Sequence, residues 1–117
     1  MKQQIVTRAE LLAIEDRAMS EKGWQQEVIA YAHDHGWRVA HLRPARTDRG
    51  WRTPMQGDPG FPDLVLARDG EVLLIELKKW GEHPSEEQLD WIMAAGGAGH
   101  WWSPKHRELM KKVLEAL

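Results

Sequence analysis

Two carboxylates and a lysine interrupt an otherwise apolar stretch of this 117-residue chain. In "GFPDLVLARDGEVLLIELKKW", residues 60 to 80, Asp63 lies near the start of one apolar run, and Glu76 and Lys78 lie near the end of the next. An Asp-Gly pair at 69 and 70 separates the runs and is a strong signal for a two-residue β-hairpin turn. These three ionisable groups are therefore the first candidates for chemistry.

The turn fixes which residues of the hairpin face each other. A two-residue loop at 69 and 70 makes Arg68 pair with Glu71, and each further step along one strand matches one step along the other. Asp63 is then opposite Glu76, although directly opposed like charges are destabilising. The period of two along a strand puts Lys78 on the same face as Glu76. We expect the three groups to converge.

Apolar residues on both faces predict that the second strand, about 71 to 79, is a buried central strand. Burying two unpaired carboxylates there would cost several kcal/mol, and a divalent cation would remove that cost. The chain has no cysteine, and oxygen ligands favour Mg²⁺ or Mn²⁺ over zinc. The structural alternative is a salt bridge from Lys78 to one carboxylate while the other takes up a proton.

Capping and turn patterns place helices and further strands around this hairpin. Helices are predicted at about 8–18, at 21–35, from Ser85 to the "GGAG" at 96–99, and from Ser103 to the end; strands are predicted at 37–43, 61–68, 71–79 and 100–103. This order predicts an α/β domain with a mixed sheet covered by helices. Residues 44–60 read as a long loop without periodicity, and such loops in small domains are usually functional or disordered.

Helical spacing also predicts which side chains face the core. The predicted inward residues are Trp24, Val28 and Ala32 in the second helix, Leu89, Ile92 and Met93 in the third, and Leu109, Met110, Val113, Leu114 and Leu117 in the last. Trp37 and Trp91 are predicted to be core residues as well.

A basic segment precedes the hairpin. The formal net charge is −2, but residues 38–52, "RVAHLRPARTDRGWR", contain five Arg and one Asp. Such a segment can hold a phosphate backbone even on an acidic body, and a solvated loop is the alternative. Because the segment leads towards Asp63, we expect it to contact DNA, with a tryptophan that either stacks on a base or packs against the core. The candidate residues are Arg43, Arg46, Arg49, Arg52 and Trp51.

Length and composition limit the number of domains and the cellular location that we expect. The length suits a single domain with a modest core. No segment approaches the roughly 18 apolar residues that a membrane span needs. The absence of cysteine fits a reducing compartment. We therefore expect a cytoplasmic protein without membrane association.

The pattern Pro62-Asp63 followed by Glu76-Leu77-Lys78 resembles the PD-(D/E)XK nuclease superfamily. Together with "GFPDLVL", "IELK", Gln88 and Trp91, it is similar to the VRR-NUC family, small nucleases related to Holliday junction resolvases and found alone in phage-type genomes. The resemblance covers about residues 20–117 and leaves 1–19 as an N-terminal helical extension. It implies a restriction-endonuclease-like αβββαβ core, with a central four-stranded mixed sheet flanked by helices and additional N- and C-terminal helices.

The resemblance also implies roles for the hairpin residues. Asp63 and Glu76 would bind Mg²⁺ or Mn²⁺ with the help of the Leu77 backbone carbonyl, and Lys78 would lie beside the attacking water. Gln88 would belong to the active site, although it is equally well explained as the capping-box partner of Ser85.

The family also uses a glutamate on the helix before the first strand, and here Glu21 and Glu27 are both candidates. At 100° per residue Glu21 lies in line with the inward stripe of that helix, whereas Glu27 falls on its edge. We therefore expect Glu21 to be the catalytic and metal-binding carboxylate. The alternative for Glu21 is an acid favoured at a helix N-terminus by the macrodipole.

These inferences lead to one functional hypothesis and two alternatives. The hypothesis is a metal-dependent DNA endonuclease that recognises branched DNA, resolving or nicking Holliday junctions. Because paired cuts in branched or double-stranded DNA need two active sites, we expect a homodimer. The alternatives are a sequence-specific restriction-type or repair nuclease and a DNA-binding module without catalytic activity.

Overall fold

The computed structural model describes residues 5–42, 45–47, 50–52 and 56–116, and for 45–47 and 50–52 it describes the backbone. These residues form an α/β fold with four α-helices and a four-stranded mixed sheet. In chain order the elements are α1 Arg8–Ala18, α2 Glu21–Asp34, β1 Arg38–His41, β2 Ala45–Thr47, β3 Gly50–Arg52, β4 Leu64–Arg68, β5 Glu71–Leu77, α3 Glu86–Ala94, β6 Gly99–Trp102 and α4 Arg107–Glu115.

The sheet has the order β1-β4-β5-β6, so β5 is a central strand as predicted. Strand β4 pairs antiparallel with both β1 and β5, and β6 pairs parallel to β5. In the β4-β5 hairpin Arg68 pairs with Glu71, which confirms the predicted register. Asp69 and Gly70 have φ values of 50° and 82°. Positive φ at both central residues is what a type I′ turn requires, and this turn matches the twist of the strands it joins.

Helices α2 and α4 cover one face of the sheet and enclose the core. Trp24, Val28 and Ala32 of α2 are fully buried, as predicted. Two buried tryptophans fasten the layers by hydrogen bonds: Trp24 Nε1 donates to the Trp102 carbonyl at 3.1 Å, and Trp37 Nε1 donates to the Leu114 carbonyl at 2.9 Å. Because a buried N–H without a partner is costly, these bonds stabilise the packing of helix on sheet.

Side-chain caps begin three of the helices where the sequence predicted them. Thr7 and Ser85 accept hydrogen bonds from the backbone three residues later in complete capping boxes, and Ser20 accepts one from the Gly23 N–H. Ser103 precedes a 3₁₀ turn, Pro104–His106, and α4 begins only after that turn. Among the described residues, no helix combines the length and the apolar composition needed to cross a membrane.

The prediction for the inward face of α3 is wrong in two of three positions. Ile92 is nearly buried, but Leu89 is 37% exposed and Met93 is 77% exposed. The reason lies in β6, where a side chain at Gly99 would collide with the main chain of Ile92. Because the helix approaches the strand backbone so closely at this point, only a narrow strip of α3 contacts the sheet. In α4, Leu109 is also more exposed than predicted, at 51%.

The prediction of a long irregular loop at 44–60 is wrong in part. Strands β2 and β3 form a separate antiparallel hairpin in which Arg46 pairs with Trp51 and Thr47 with Gly50. Strands of three residues are too short to show an alternation of apolar and polar side chains, so periodicity does not reveal them.

Helix α1 joins the rest of the protein through charged groups. The Arg107 guanidinium of α4 donates to Asp16 of α1 at 2.8 Å and to Glu27 of α2 at 2.6 Å. No residue of α1 is buried. One arginine therefore holds the N-terminal helix against the two helices that cover the core.

The contact between α3 and β6 predicts that replacing Gly99 by alanine costs much more stability than replacing the nearby Gly97. We expect Gly99→Ala to lower the free energy of unfolding by about 1–3 kcal/mol, because the new Cβ would overlap the Ile92 main chain. Gly97→Ala is the matched control, since no heavy atom lies within 4 Å of a Cβ at that position. Denaturant unfolding of both variants measures the difference. Equal stabilities would contradict the close packing of α3 on β6.

Candidate active site

The loop that leads to Asp63 is fixed against the start of α3. Gly60 has φ 88°, and a Cβ at this position would lie 2.6 Å from the Glu87 carbonyl carbon. Trp91 of α3 donates its indole N–H to the Pro59 carbonyl at 3.1 Å and contacts Phe61 edge to face, with ring centroids 4.9 Å apart. Trp91 is therefore half-buried and anchors this loop, whereas the sequence had predicted a core residue.

Asp63, Glu76 and Lys78 converge at the end of the β4-β5 hairpin, as the register predicted. The Leu77 N–H donates to Asp63 Oδ2 at 2.9 Å, which holds the aspartate against the end of β5. Lys78 Nζ lies 4.0 Å from Glu76 Oε2. Glu76 itself is 1% exposed. Its Oε1 is buried and has no hydrogen-bond partner among the described residues.

This burial leaves Glu76 with a strongly unfavourable negative charge. Burial raises the pKa of Glu76 to about 8, and the Asp63 carboxylate adds to the effect. Lys78 acts in the opposite direction but does not cancel it. The ion pair at 4.0 Å is at the outer limit of such contacts. A raised pKa of Glu76 is also what the salt-bridge alternative expects of the carboxylate that takes up a proton.

The two candidate glutamates of α2 have different surroundings. Glu21, at the exposed start of the helix, is near the hairpin carboxylates: partial burial raises its pKa, and the charge of Asp63 raises it further. Glu27 is instead bound by Arg107 through Nε and Nη2, at 2.6 and 3.1 Å. Glu21 therefore lies in the electrostatic field of the site, whereas Glu27 takes part in the ion pairs that hold α1.

Gln88 takes part in the cap of α3 and also lies beside a cleft. Its Oε1 accepts a hydrogen bond from the Ser85 N–H at 2.8 Å, so it completes the capping box of α3. Gln88 also lines a cleft of about 440 Å³, together with Leu42, Asp63 and the loop at 56–62. The cap fixes the Gln88 side chain at the wall of a cleft that reaches Asp63.

The basic segment is only partly described. Arg43 and Arg49 lie outside the described residues. For Arg46, Trp51 and Arg52 the description covers the backbone, which belongs to β2 and β3. The prediction that these five residues contact DNA stays a prediction.

Sequence reasoning missed an aromatic neighbour of Glu76. Trp101 of β6 pairs directly with Glu76 in the parallel register, so the two side chains share one face of the sheet. His83 and His106 contact the Trp101 ring edge to face, with centroids 5.6 and 4.9 Å away. The register of a parallel pair depends on the crossover between the strands, and no turn signal in the sequence specifies it.

The oxygen donor set fits a hard divalent cation, Mg²⁺ or Mn²⁺, better than zinc. Within the described part of the chain, no group of three or more His, Cys, Asp or Glu side chains is arranged to hold a metal ion. Mg²⁺ often needs only one or two protein carboxylates, because water and substrate phosphate complete its coordination. Asp63 and the unpaired Glu76 Oε1 supply such a pair, and the main-chain carbonyl of Leu77 is the third candidate ligand.

No family model, curated protein or solved structure matches the chain. Inferences about its chemistry therefore rest on its own residues.

The raised pKa of Glu76 predicts an unusual dependence of stability on pH. Its ordinary value is 4.5 and its folded value is about 8, so the folded chain keeps a proton that the unfolded chain releases between these limits. Without divalent cations, this group should therefore reduce stability as the pH rises from about 5 to about 8, by an amount on the order of a few kcal/mol. Glu76→Gln should remove this loss and be more stable than the wild type at pH 8.

Denaturant unfolding in EDTA at several pH values measures the effect as a difference between wild type and variant. The difference is needed because burial lowers the pKa of His100 and of His106, and both contribute the opposite slope. Glu71→Gln, an exposed carboxylate at the other end of β5, is the matched control and should keep the wild-type profile. Parallel profiles for wild type and Glu76→Gln would show that Glu76 is solvated.

Proposed function

We propose that the protein is a Mg²⁺- or Mn²⁺-dependent DNA endonuclease of the PD-(D/E)XK kind, related to the VRR-NUC family. One observation carries the proposal: a fully buried carboxylate, Glu76, has an oxygen without a hydrogen-bond partner among the described residues and lies beside a second carboxylate, Asp63. Two neighbouring buried carboxylates are unfavourable unless a cation neutralises them, and such an arrangement is typical of a cation-binding site. A lysine 4.0 Å away completes the Asp, Glu and Lys set of that superfamily.

The order of elements supports the same proposal at the level of the fold. From α2 onward, the elements of the main sheet follow as α2, β1, β4, β5, α3 and β6, with β4 and β5 antiparallel and β6 parallel to β5. This succession agrees with the αβββαβ core expected of a restriction-endonuclease-like protein. Asp63 and Glu76 occupy the ends of the two middle strands of that core.

The chain's own residues would act on the scissile phosphodiester by position and charge. Asp63, held by the Leu77 N–H, and Glu76 would bind the cation together with the Leu77 carbonyl. When bound, the cation supplies Lewis-acid polarisation of the phosphate and lowers the pKa of a coordinated water. Lys78 would orient the attacking water and stabilise the negative charge that develops on the phosphoryl oxygens. Glu21 would add a further carboxylate at the rim of the site.

The substrate class follows from the surroundings of Asp63. The cleft beside it is lined by Gln88 and the fixed loop at 56–62, which form one wall for a bound strand. The arginines at 43, 46, 49 and 52 would hold the phosphate backbone through charge-assisted contacts, with Trp51 stacking on a base. Because the described residues include no large element for reading sequence, we infer that the protein recognises the shape of branched DNA. Paired cuts in such a substrate need two active sites, so we infer that it acts as a homodimer.

A cleavage assay tests the proposed function. The protein is incubated with a four-way junction, a flap, a linear duplex and single strands, each with Mg²⁺, Mn²⁺ or EDTA. We expect cutting of the branched substrates only with the cation, and a loss of about 100-fold or more in Asp63→Ala and Glu76→Gln, because each removes a ligand of the cation. Glu71→Gln is the control with an unchanged carboxylate pair and should cut like the wild type.

Two outcomes would contradict the proposal in different ways. Cutting of linear duplex at one sequence would leave the chemistry intact but reject recognition of branched DNA. Tight binding without cutting in either metal, by a folded protein, would reject catalysis and favour a DNA-binding module.

A second comparison separates the two glutamates of α2. We expect Glu21→Gln to reduce cleavage about tenfold or more without loss of stability, because Glu21 acts on the site through its charge. Glu27→Gln should lose about 1 kcal/mol of stability by weakening the bond to Arg107 and should keep its cleavage rate. Initial cleavage rates and unfolding curves of both variants decide the matter, and a reversed pattern would move the catalytic role to Glu27.

A further inference from the structure

The cleft beside Asp63 has one rigid wall. The loop at 56–62 forms this wall, and Trp91 holds the loop from behind. The Trp91 indole N–H lies 3.3 Å from the Asp58 carbonyl and 3.1 Å from the Pro59 carbonyl. Because the wall is already ordered, a ligand that enters the cleft does not have to order it.

An aromatic ring gives the cleft an apolar side. Phe61 and Leu42 both line the cleft, and both are half-buried. Trp91 contacts the Phe61 ring edge to face at an angle of 78°, which fixes the position of the ring. A held aromatic ring of this kind offers a surface on which a planar ligand can stack.

Gln88 supplies a hydrogen-bond donor to the cleft. The Ser85 N–H can only donate, so the atom of Gln88 that lies 2.8 Å from it is the side-chain oxygen. This bond fixes the orientation of the amide group. The amide nitrogen, Nε2, forms no hydrogen bond with another described residue, so its two N–H groups remain for a ligand.

The charge of the cleft disfavours a phosphate group. Asp58 and Asp63 both line it, and the described residues of its lining include neither Lys nor Arg. An anion inside the cleft would be repelled. A neutral planar ring with a hydrogen-bonding edge instead meets an aromatic side, an amide donor and carboxylate acceptors.

We propose that this cleft binds a single unpaired nucleobase of the DNA substrate. The base stacks on Phe61 and its edge accepts a hydrogen bond from the Gln88 amide, while the phosphate of the strand lies at the cation held by Asp63 and Glu76. This inference rests on the proposed function, since Asp63 belongs both to the cleft and to the carboxylate pair. It adds the feature of branched DNA that the protein recognises.

The volume of the cleft and the cost of unpairing both favour an unpaired base. At about 440 Å³ the cleft is near the lower end of the roughly 300–1,000 Å³ range of small-ligand sites, so it holds one base and not a duplex. A base inside a duplex must first leave its stack, and this costs least where the base is already unpaired. A branch point offers such bases, whereas a linear duplex does not.

Titration with a free nucleoside tests the cleft without metal, DNA or cleavage. Adenosine is uncharged. Added to the full chain in EDTA, it should shift the NMR signals of the Gln88 side-chain amide and the Trp91 indole N–H, with a dissociation constant on the order of 1 mM. Loss of these signals in Gln88→Glu and in Trp91→Phe assigns them. Ribose 5-phosphate is the matched ligand without a base and should shift neither signal.

Gln88→Glu separates binding in the cleft from the cap of α3. A glutamate still accepts from the Ser85 N–H and is favoured at this position of a capping box, so the variant should stay folded, and thermal unfolding checks this. It has no N–H to donate, so its affinity for adenosine, followed at the Trp91 indole, should fall about fivefold or more. Gln26→Glu, the same change at an exposed position of α2, is the matched control and should bind like the wild type.

DNA that lacks one base tests whether the cleft recognises the branch. In EDTA, a flap with an abasic residue at the branch point should bind about tenfold more weakly than the intact flap, because the stacked base is missing. An abasic residue at the free end of the flap should change the affinity little. Fluorescence anisotropy measures both affinities.

Three results would overturn the proposal. The first is the absence of shifts up to about 10 mM adenosine, or equal shifts with ribose 5-phosphate, which would make the cleft a phosphate site. The second is a Gln88→Glu variant that binds adenosine like the wild type. The third is equal affinity for the intact flap and for the flap that is abasic at the branch.

The failure of this proposal and the failure of the proposed function are distinguishable. A protein that cuts branched DNA but does not bind adenosine keeps the proposed function and rejects the base-binding cleft. A protein that binds adenosine through Gln88 but cuts no DNA keeps the cleft and rejects catalysis.

Discussion

The burial of one carboxylate is the constraint around which the β4-β5 hairpin and its neighbours are arranged. Glu76 lies in a central strand with almost no exposed surface, beside a second acid, and one of its oxygens has no hydrogen-bond partner in the part of the chain that the structure describes. In a protein without a ligand, such a group lowers stability and is tolerated only because the surrounding sheet and helices fix it in place. The β4-β5 hairpin, the loop that Trp91 anchors and the cap that includes Gln88 all lie around this buried carboxylate.

Local signals made the hairpin predictable from sequence. The Asp-Gly turn specifies the register, and the register places Asp63 beside Glu76. Short-range caps likewise predicted the starts of α1, α2 and α3, because a Ser or Thr with a suitable partner three residues later satisfies backbone groups within a single turn. The choice of Glu21 over Glu27 followed from helical geometry and stays a prediction. Glu27 forms an ion pair with Arg107.

Contacts between distant segments were not predictable in the same way. The exposure of Leu89 and Met93 depends on the close approach of Ile92 to Gly99, which links α3 to a strand that follows it. Trp101 reaches Glu76 through a parallel register that only the complete crossover defines. Leu11 and Leu12 of α1 are about half exposed, and the helix is bound through Asp16 to Arg107, some 90 residues later in the chain. In each case, amphipathic spacing identified the element but not the surface against which it packs.

The parallel pairing of β5 with β6 has a consequence for how the protein is made. The hairpin can close as soon as residue 77 is available, because the Leu77 N–H reaches Asp63 across only 14 residues. The other side of Glu76 stays wet until β6 arrives, since Glu76 pairs with Trp101. On a ribosome that synthesises from the N-terminus, the acidic pair would therefore remain hydrated until the residues of β6 have emerged. A nascent or truncated chain would contain both carboxylates without the burial that raises the pKa of Glu76.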